Sequence, residues 1–460
     1  MPGIGLGLGL GQFIGSGGSA FDADALAYIN ALSADGYPLE APEQTYINTL
    51  VSDFKSAGIW SKMKAIYPYC TSQRNLIGYS EDFGNAYWTP NLATVTTNTT
   101  TAPNGTNTAD TLIPSAGTNV DTPCVYVVID TTVQTRTWSF YAKSNGYDYC
   151  FGRVGGSSNA PIGIFNLTGS GSLVASQNIL GSSISSVGSG WYRVSITYAN
   201  SNSYYAPNVG VCSSTYSISG SSVLTTTNGT SGIYIWGAQL ELGSTATTYQ
   251  PVATTASTIF ASQFKYNLKD PRNLDAAFRQ VFNGGWTYSK QGATGNGVNG
   301  YADTKFNPNN EPSVGANDMS VGGYTNTNTT INAMIAAYSG GRETSIAPKF
   351  ADGNFYATIN DNVFSNIGII NNNSQGFYIG NKNNSGNNIG YKNGVKVING
   401  ANVSNGKTTA NLTVAARNAY DRFSSFNVQF IFIGNGVTDS EASAMYTSVQ
   451  SYQTSMQRQV

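Results

Sequence analysis

The sequence predicts a mainly β protein built of antiparallel sandwiches, with a small helical region near its start and one helix at its end. Three observations carry that expectation. Several segments alternate apolar and polar residues with a period of two, as strands with one buried face do. Only 10% of the 460 residues are charged, aromatics reach 12%, and Gly, Asn, Ser, Thr and Tyr are abundant. This composition suits extended β proteins with amides outside and rings inside. Helical character is confined to residues 21–70, 265–285 and the C-terminus.

Residues 1–20 alternate Gly with Ile4, Leu6, Leu8 and Leu10. Extended, such a segment has one apolar edge and one of bare backbone. It reads either as a strand added to a partner's sheet or as a flexible leader. In residues 21–70, Asp22 caps a first helix with Ala25, Tyr28, Ile29 and Leu32 on one face. A second helix opens at Pro42, carries Ile47, Leu50, Val51 and Phe54, and closes at Gly58.

From about residue 73 short strands take over. Thr137, Ser139 and Tyr141 alternate with Trp138, Phe140 and Ala142. Tyr192, Val194, Ile196 and Tyr198 share one face, with Arg193, Ser195 and Thr197 opposite. Tyr234, Trp236, Ala238 and Leu240 read as one further face. Residues 265–285 predict a helix capped by Asp270, and Asn393-Gly394 predicts a type I′ hairpin. Thr438 and Glu441 form a capping box before a helix carrying Met445, Val449, Tyr452 and Met456.

The formal net charge is −1, which supplies neither the basic stripe of a nucleic-acid binder nor a polybasic membrane signal. The chain has no His, hence neither the commonest general base nor the commonest metal ligand. Cys70, Cys124, Cys150 and Cys212 lack CxxC spacing and read as buried thiols. Met1-Pro2-Gly3-Ile4 carries no Lys or Arg, and no bilayer-length apolar run follows, so neither a secretory signal nor membrane insertion is expected.

NLIGYSEDFGNAYW (75–88), WSFYAKSNG (138–146), GWYRVSITY (190–198) and SGIYIWGAQLELGSTATTYQP (231–251) together resemble the carbohydrate-binding-type jelly-roll module of phage head-fibre and tail-fibre proteins. Gln250-Pro251-Val252 departs from that module's usual ending. The flanking segments FDADALAYINAL (21–32), SAGIWSKMKAIYPY (56–69), the run 265–304 that opens KYNLKDPRNLDAAF, FYIGNKN (377–383) and the run 434–460 resemble phage proteins with concanavalin-like or laminin-G-like lectin regions. There the AIYPY and NLKDPR motifs nearly adjoin, whereas here about 195 residues intervene. The resemblance therefore implies a jelly roll over 71–256 inserted into a lectin-like sandwich over 257–436, with a C-terminal helix over 437–460 packing on it.

Sugar rings stack on exposed aromatic faces. Trp138 and Trp236 read as core. Tyr147, Tyr149, Tyr204 and Tyr205 in turn-rich segments, with Trp191 on the polar face of its strand, are the carbohydrate-binding candidates. The jelly-roll resemblance also implies a structural calcium, for which Glu81, Asp82 and Glu241 are the candidate oxygen ligands, set against a reading as solvated charges. No carboxylate pair or Ser/His arrangement is singled out for catalysis.

The expectation is a non-enzymatic virion protein, a head-fibre, tail-fibre or spike subunit of a tailed bacteriophage assembled in the bacterial host cytoplasm. It attaches to host-surface or environmental glycans as a homo-oligomer, a trimer favoured over a dimer. Ile4, Leu6, Leu8 and Leu10 anchor it to other virion proteins. The alternatives are a collar, tail or capsid-decorating part without a ligand, and a glycan-degrading tailspike.

Overall fold

The computed structural model describes residues 21–460 apart from 131–133, 156–157, 200–203, 362–367, 384–386, 402–403, 405 and 419–420. The segment with Ile4, Leu6, Leu8 and Leu10 lies outside the described residues. The chain is mainly β, with several antiparallel sheets and a few helices. It divides into two compact units. The first comprises the described residues up to Cys70, Gln263–Thr287 and Gln291–Val460; the second comprises Thr71–Ser262 with Tyr288–Lys290.

In the first unit, helix α1 spans Ala23–Ala34. The Asp22 carboxylate caps it by accepting from Asp24 N at 2.9 Å. Helix α2 spans Ala41–Ser56 with Pro42 in its first turn. Both bury the apolar stripes that their sequences mark. Met63–Tyr67, within the span read as helical, is instead a strand, because it pairs antiparallel with Phe430–Gly434.

That pair begins a six-stranded sheet continued by Asp318–Thr325, Gly376–Asn383, Asn387–Lys392 and Val395–Ala401. The last two strands meet at Asn393-Gly394, whose φ angles of 50° and 76° match the predicted turn. The sheet is buried on both faces. Phe377 and Ile379 join the core with α1, α2 and the C-terminal helix. On the other face Tyr378 meets Phe355 edge-on, with centroids 5.0 Å apart. Gly380 lies so close to Ile346 that a Cβ there would stand 2.1 Å from its Cδ1. Phe355 and Ile346 belong to a second, seven-stranded sheet.

The helix predicted over 265–285 is absent. Helix α3 spans Ala256–Phe264, and only a 3-10 turn at Asp275–Ala277 follows before the strand Val281–Asn283. The reason is Asn267, which is buried. Its Oδ1 accepts from Ile66 N and Lys269 N, and its Nδ2 donates to Lys64 O and Ala277 O. A side chain that serves four backbone groups competes with a helix for them. Asp270 caps nothing helical and pairs with Arg272. The last helix, α4 (Asp439–Ser455), starts at the expected Thr438–Glu441 capping box.

In the second unit, a six-stranded sheet runs Gly181–Gly188, Trp191–Ala199, Thr135–Asn145, Gly232–Leu242, Ala109–Pro114 and Ala93–Thr100. A seven-stranded sheet has Tyr149–Gly155, Tyr204–Cys212 and Cys124–Tyr126 at its centre. Trp138, Phe140, Val194 and Ile196 from one sheet share a core with Cys150, Val154, Val209 and Val211 from the other. Trp138 Nε1 donates to Asn208 O at 2.9 Å, which satisfies the buried indole.

Tyr234, Trp236, Ala238 and Leu240 do not share one face. A bulge between Trp236 and Gln239, with Gly237 at φ +63°, reverses the phase. Ala238 and Leu240 point into the core. Trp236 joins Trp191, Ala102 and Ala109 in a separate cluster on the opposite face. All four cysteines are buried, and none of them forms a disulfide. Among the described residues no helix is long and apolar enough to cross a membrane.

Candidate functional site

The aromatic candidates with described side chains, Tyr147, Tyr149 and Trp191, fall in three different packing clusters. Trp191 is only 1% exposed, and its Nε1 donates to Thr101 O at 3.1 Å, so it offers no stacking face. This corrects the carbohydrate-binding expectation for Trp191: packing against Trp236 covers it. Tyr147 is half-buried at the core's edge, and its hydroxyl accepts from Asn228 N at 2.8 Å. Tyr149 stands on the outer face of the seven-stranded sheet, 6.0 Å from the ring of Tyr216. Tyr204 and Tyr205 pair through their backbones with Asp130 and Ile129, and their side chains lie outside the described residues.

The candidate calcium ligands are likewise apart. Glu241 is buried, and its carboxylate accepts from Gln239 Nε2 at 2.6 Å and from both the backbone and the hydroxyl of Thr247. Glu81 accepts from Tyr249 Oη at 3.3 Å, and burial raises its pKa. Asp82 is exposed. Among the described residues no group of three or more His, Cys, Asp or Glu side chains could hold a metal ion. The expected meeting of these three carboxylates therefore does not occur, because Glu241 is committed to its own strand end.

What the strands do assemble is a cleft of about 410 Å³ on the outer face of the seven-stranded sheet. Its floor follows from strand alternation. Val125, Val154 and Val209 face the core, so their neighbours Tyr126, Arg153 and Asn208 face outward. Register places Asn208 opposite both Tyr126 and Arg153, and Asn91 opposite Cys124. One wall is the edge of a small three-stranded sheet, with Asp121, Ser221 and Ser222 on the rim.

Arg153 is fixed there. Its Nε donates to Ser221 O at 2.6 Å and its Nη1 to Asn208 Oδ1 at 2.7 Å. Asn208 is itself held, its Nδ2 donating to Ala206 O at 3.0 Å. Burial lowers the Arg153 pKa, with the nearby Cys124 and Asp121 opposing that effect. Burial likewise pushes the Cys124 thiol up to about 12, so it stays protonated under the cleft.

Two rim residues have left-handed backbones, Leu92 at φ 45° and Thr122 at φ 54°. That conformation costs a branched residue on the order of 1–2 kcal/mol. Side chains hold it in place: Asn91 Nδ2 donates to Asp121 O and Thr122 O, and Thr122 Oγ1 donates to Asp121 and accepts from Val223 N. Leu92 is left 49% exposed at the rim. The cleft thus offers a ring, an apolar rim, amides, hydroxyls and one preset guanidinium. Sequence reading missed it because alternation could place Tyr126, Arg153 and Asn208 outward but not beside one another.

The chain matches no family model and no curated protein. Among solved structures it shows a weak, partial likeness to the enzymatically active domain of tailspike protein 4 from bacteriophage CBA120, at 15% identity and a TM-score of 0.22. The match covers 37% of this chain and 21% of that one.

Proposed function

We propose that this chain is a non-catalytic structural subunit of a tailed-bacteriophage virion, a fibre or spike component that attaches weakly to host-surface glycans. In this reading the second unit is an inserted jelly-roll module and the first a concanavalin-like or laminin-G-like sandwich. Residues 1–20 tie the chain to other virion proteins, and a homo-oligomer multiplies a weak single-site affinity. The observation that carries the reading is the cleft. Its volume lies within the roughly 300–1,000 Å³ of small-molecule sites, and its mixture of ring, amide and hydroxyl suits a polyol with apolar and hydroxylated faces.

A glycan array probed with the full chain tests this. Binding to a subset of glycans, lost when Tyr126 is changed to Ala, is the expected result. No binding to any glycan, with the chain presented multivalently, would overturn the attachment role and leave a structural part.

A further inference from the structure

We infer that the cleft selects uncharged glycans, by a balanced pair of opposite charges that reads neighbouring hydroxyls. This rests on the glycan-binding reading above and adds the ligand's charge class. Among the described lining residues, Arg153 is the one cation and Asp121 the one anion. They form no ion pair within 4 Å, yet each lies within electrostatic reach of the other.

A guanidinium can only donate, and a carboxylate can only accept. Nε and one Nη1 hydrogen of Arg153 are committed to Ser221 O and Asn208 Oδ1. Its remaining donors have no partner among the described residues. Asp121 accepts from Thr122 Oγ1 on one oxygen, and its other oxygen is available on an exposed rim residue. A sugar hydroxyl both donates and accepts. Neighbouring hydroxyls can therefore accept a hydrogen bond from Arg153 and donate one to Asp121, with charge-assisted bonds at both ends.

An anionic sugar fits the same cleft poorly. Its carboxylate gains from Arg153 but is repelled by Asp121, and it still loses its own hydration on entry. A cationic amino sugar meets the mirror-image conflict. Leu92 and Tyr126 offer apolar contact to a ring face and discriminate neither charge.

The test uses the full chain on an array holding both neutral and uronic- or sialic-acid glycans. The expected result is binding confined to neutral glycans, changing less than about twofold between about 50 mM and about 500 mM salt. Asp121→Asn keeps an acceptor for Thr122 and should fold normally. It should lower affinity for the neutral ligand by at least about tenfold and bring acidic glycans into the bound set. Binding confined to acidic glycans, or a steep loss with salt, overturns the charge-balance inference and leaves glycan attachment intact. An array with no bound glycan sinks both.

Discussion

Replacing Gly237 with Ala isolates the device that reverses the strand Gly232–Leu242. Gly237 sits at φ +63°, where an L side chain costs on the order of 1–2 kcal/mol. A Cβ there would also stand 2.8 Å and 3.1 Å from two ring carbons of Tyr141. The Tyr141 ring cannot easily retreat. It packs against Trp236 with centroids 5.2 Å apart and against Tyr249 at 5.8 Å, and Arg193 lies over it at 5.6 Å. Overpacking of this kind adds about 1–3 kcal/mol. The expected cost is therefore about 2–5 kcal/mol. Gly105 provides the control, with φ +87° and nothing within 4 Å of its Cβ position, so Gly105→Ala carries the backbone cost alone. For a unit of this size each kcal/mol lowers the melting temperature by roughly 2–4 °C. Scanning calorimetry should show G237A falling well below G105A. Equal losses for the two would refute the argument that the ring cage fixes the bulge.

Two other perturbations follow from buried charge. Arg458 is 2% exposed, and its guanidinium donates to Tyr69 O, Pro68 O, Gln429 O and Gln453 Oε1 while lying over the Tyr452 ring. Arg458→Met should lower stability by about 2–4 kcal/mol in urea denaturation, since carbonyls lose a charged donor while the cost of burying that charge is relieved. A neutral or stabilising result would show that the desolvation cost dominates. Asp110 is buried, and burial raises its pKa to about 6 against backbone donation from Phe83 and Asn98, which favours ionisation. The folded state then binds a proton more tightly than the unfolded chain. The resulting stability is complete below about pH 4 and is lost as pH rises through about 6, by at most about 3 kcal/mol. The melting temperature should fall between pH 4 and 7, and Asp110→Asn should flatten that slope.

Much of the local structure was legible because it depends on neighbours in sequence. The caps at Asp22 and Thr438, the stripes of α1 and α2 and the Asn393-Gly394 turn each need only a few adjacent residues. The misreadings all involve distant partners. Met63–Tyr67 is a strand because Phe430–Gly434 pairs with it, and Asn267 prevents a helix by bonding Ile66 and Lys64 some 200 residues away. The bulge at Gly237 is a case between the two, since a glycine inside an alternating run signals a phase change. The cleft was the least legible feature. Tyr126, Arg153 and Asn208 are far apart in the chain, and only strand register makes them neighbours.

The scarcity of charge gains meaning from where charge is placed. Several of the charged groups present are buried: Asp110, Arg136, Glu241, Glu343, Lys382 and Arg458. Glu343 lies between Arg417 and Arg422 at 3.1 and 2.6 Å, and Glu241 closes the end of its strand. Burying a charge costs several kcal/mol unless such partners are supplied, so Glu343 and Glu241 act as internal locks. The exterior is left largely to amides, hydroxyls and scattered apolar side chains. Such a surface exerts little long-range pull on polyanions or membranes and gives no electrostatic acceleration of encounter. On the proposed attachment role, selectivity would come from fixed hydrogen-bond geometry at short range, such as the held guanidinium of Arg153. In that role a neutral polyol bound that way would gain little per site, and useful avidity would require several copies engaged at once.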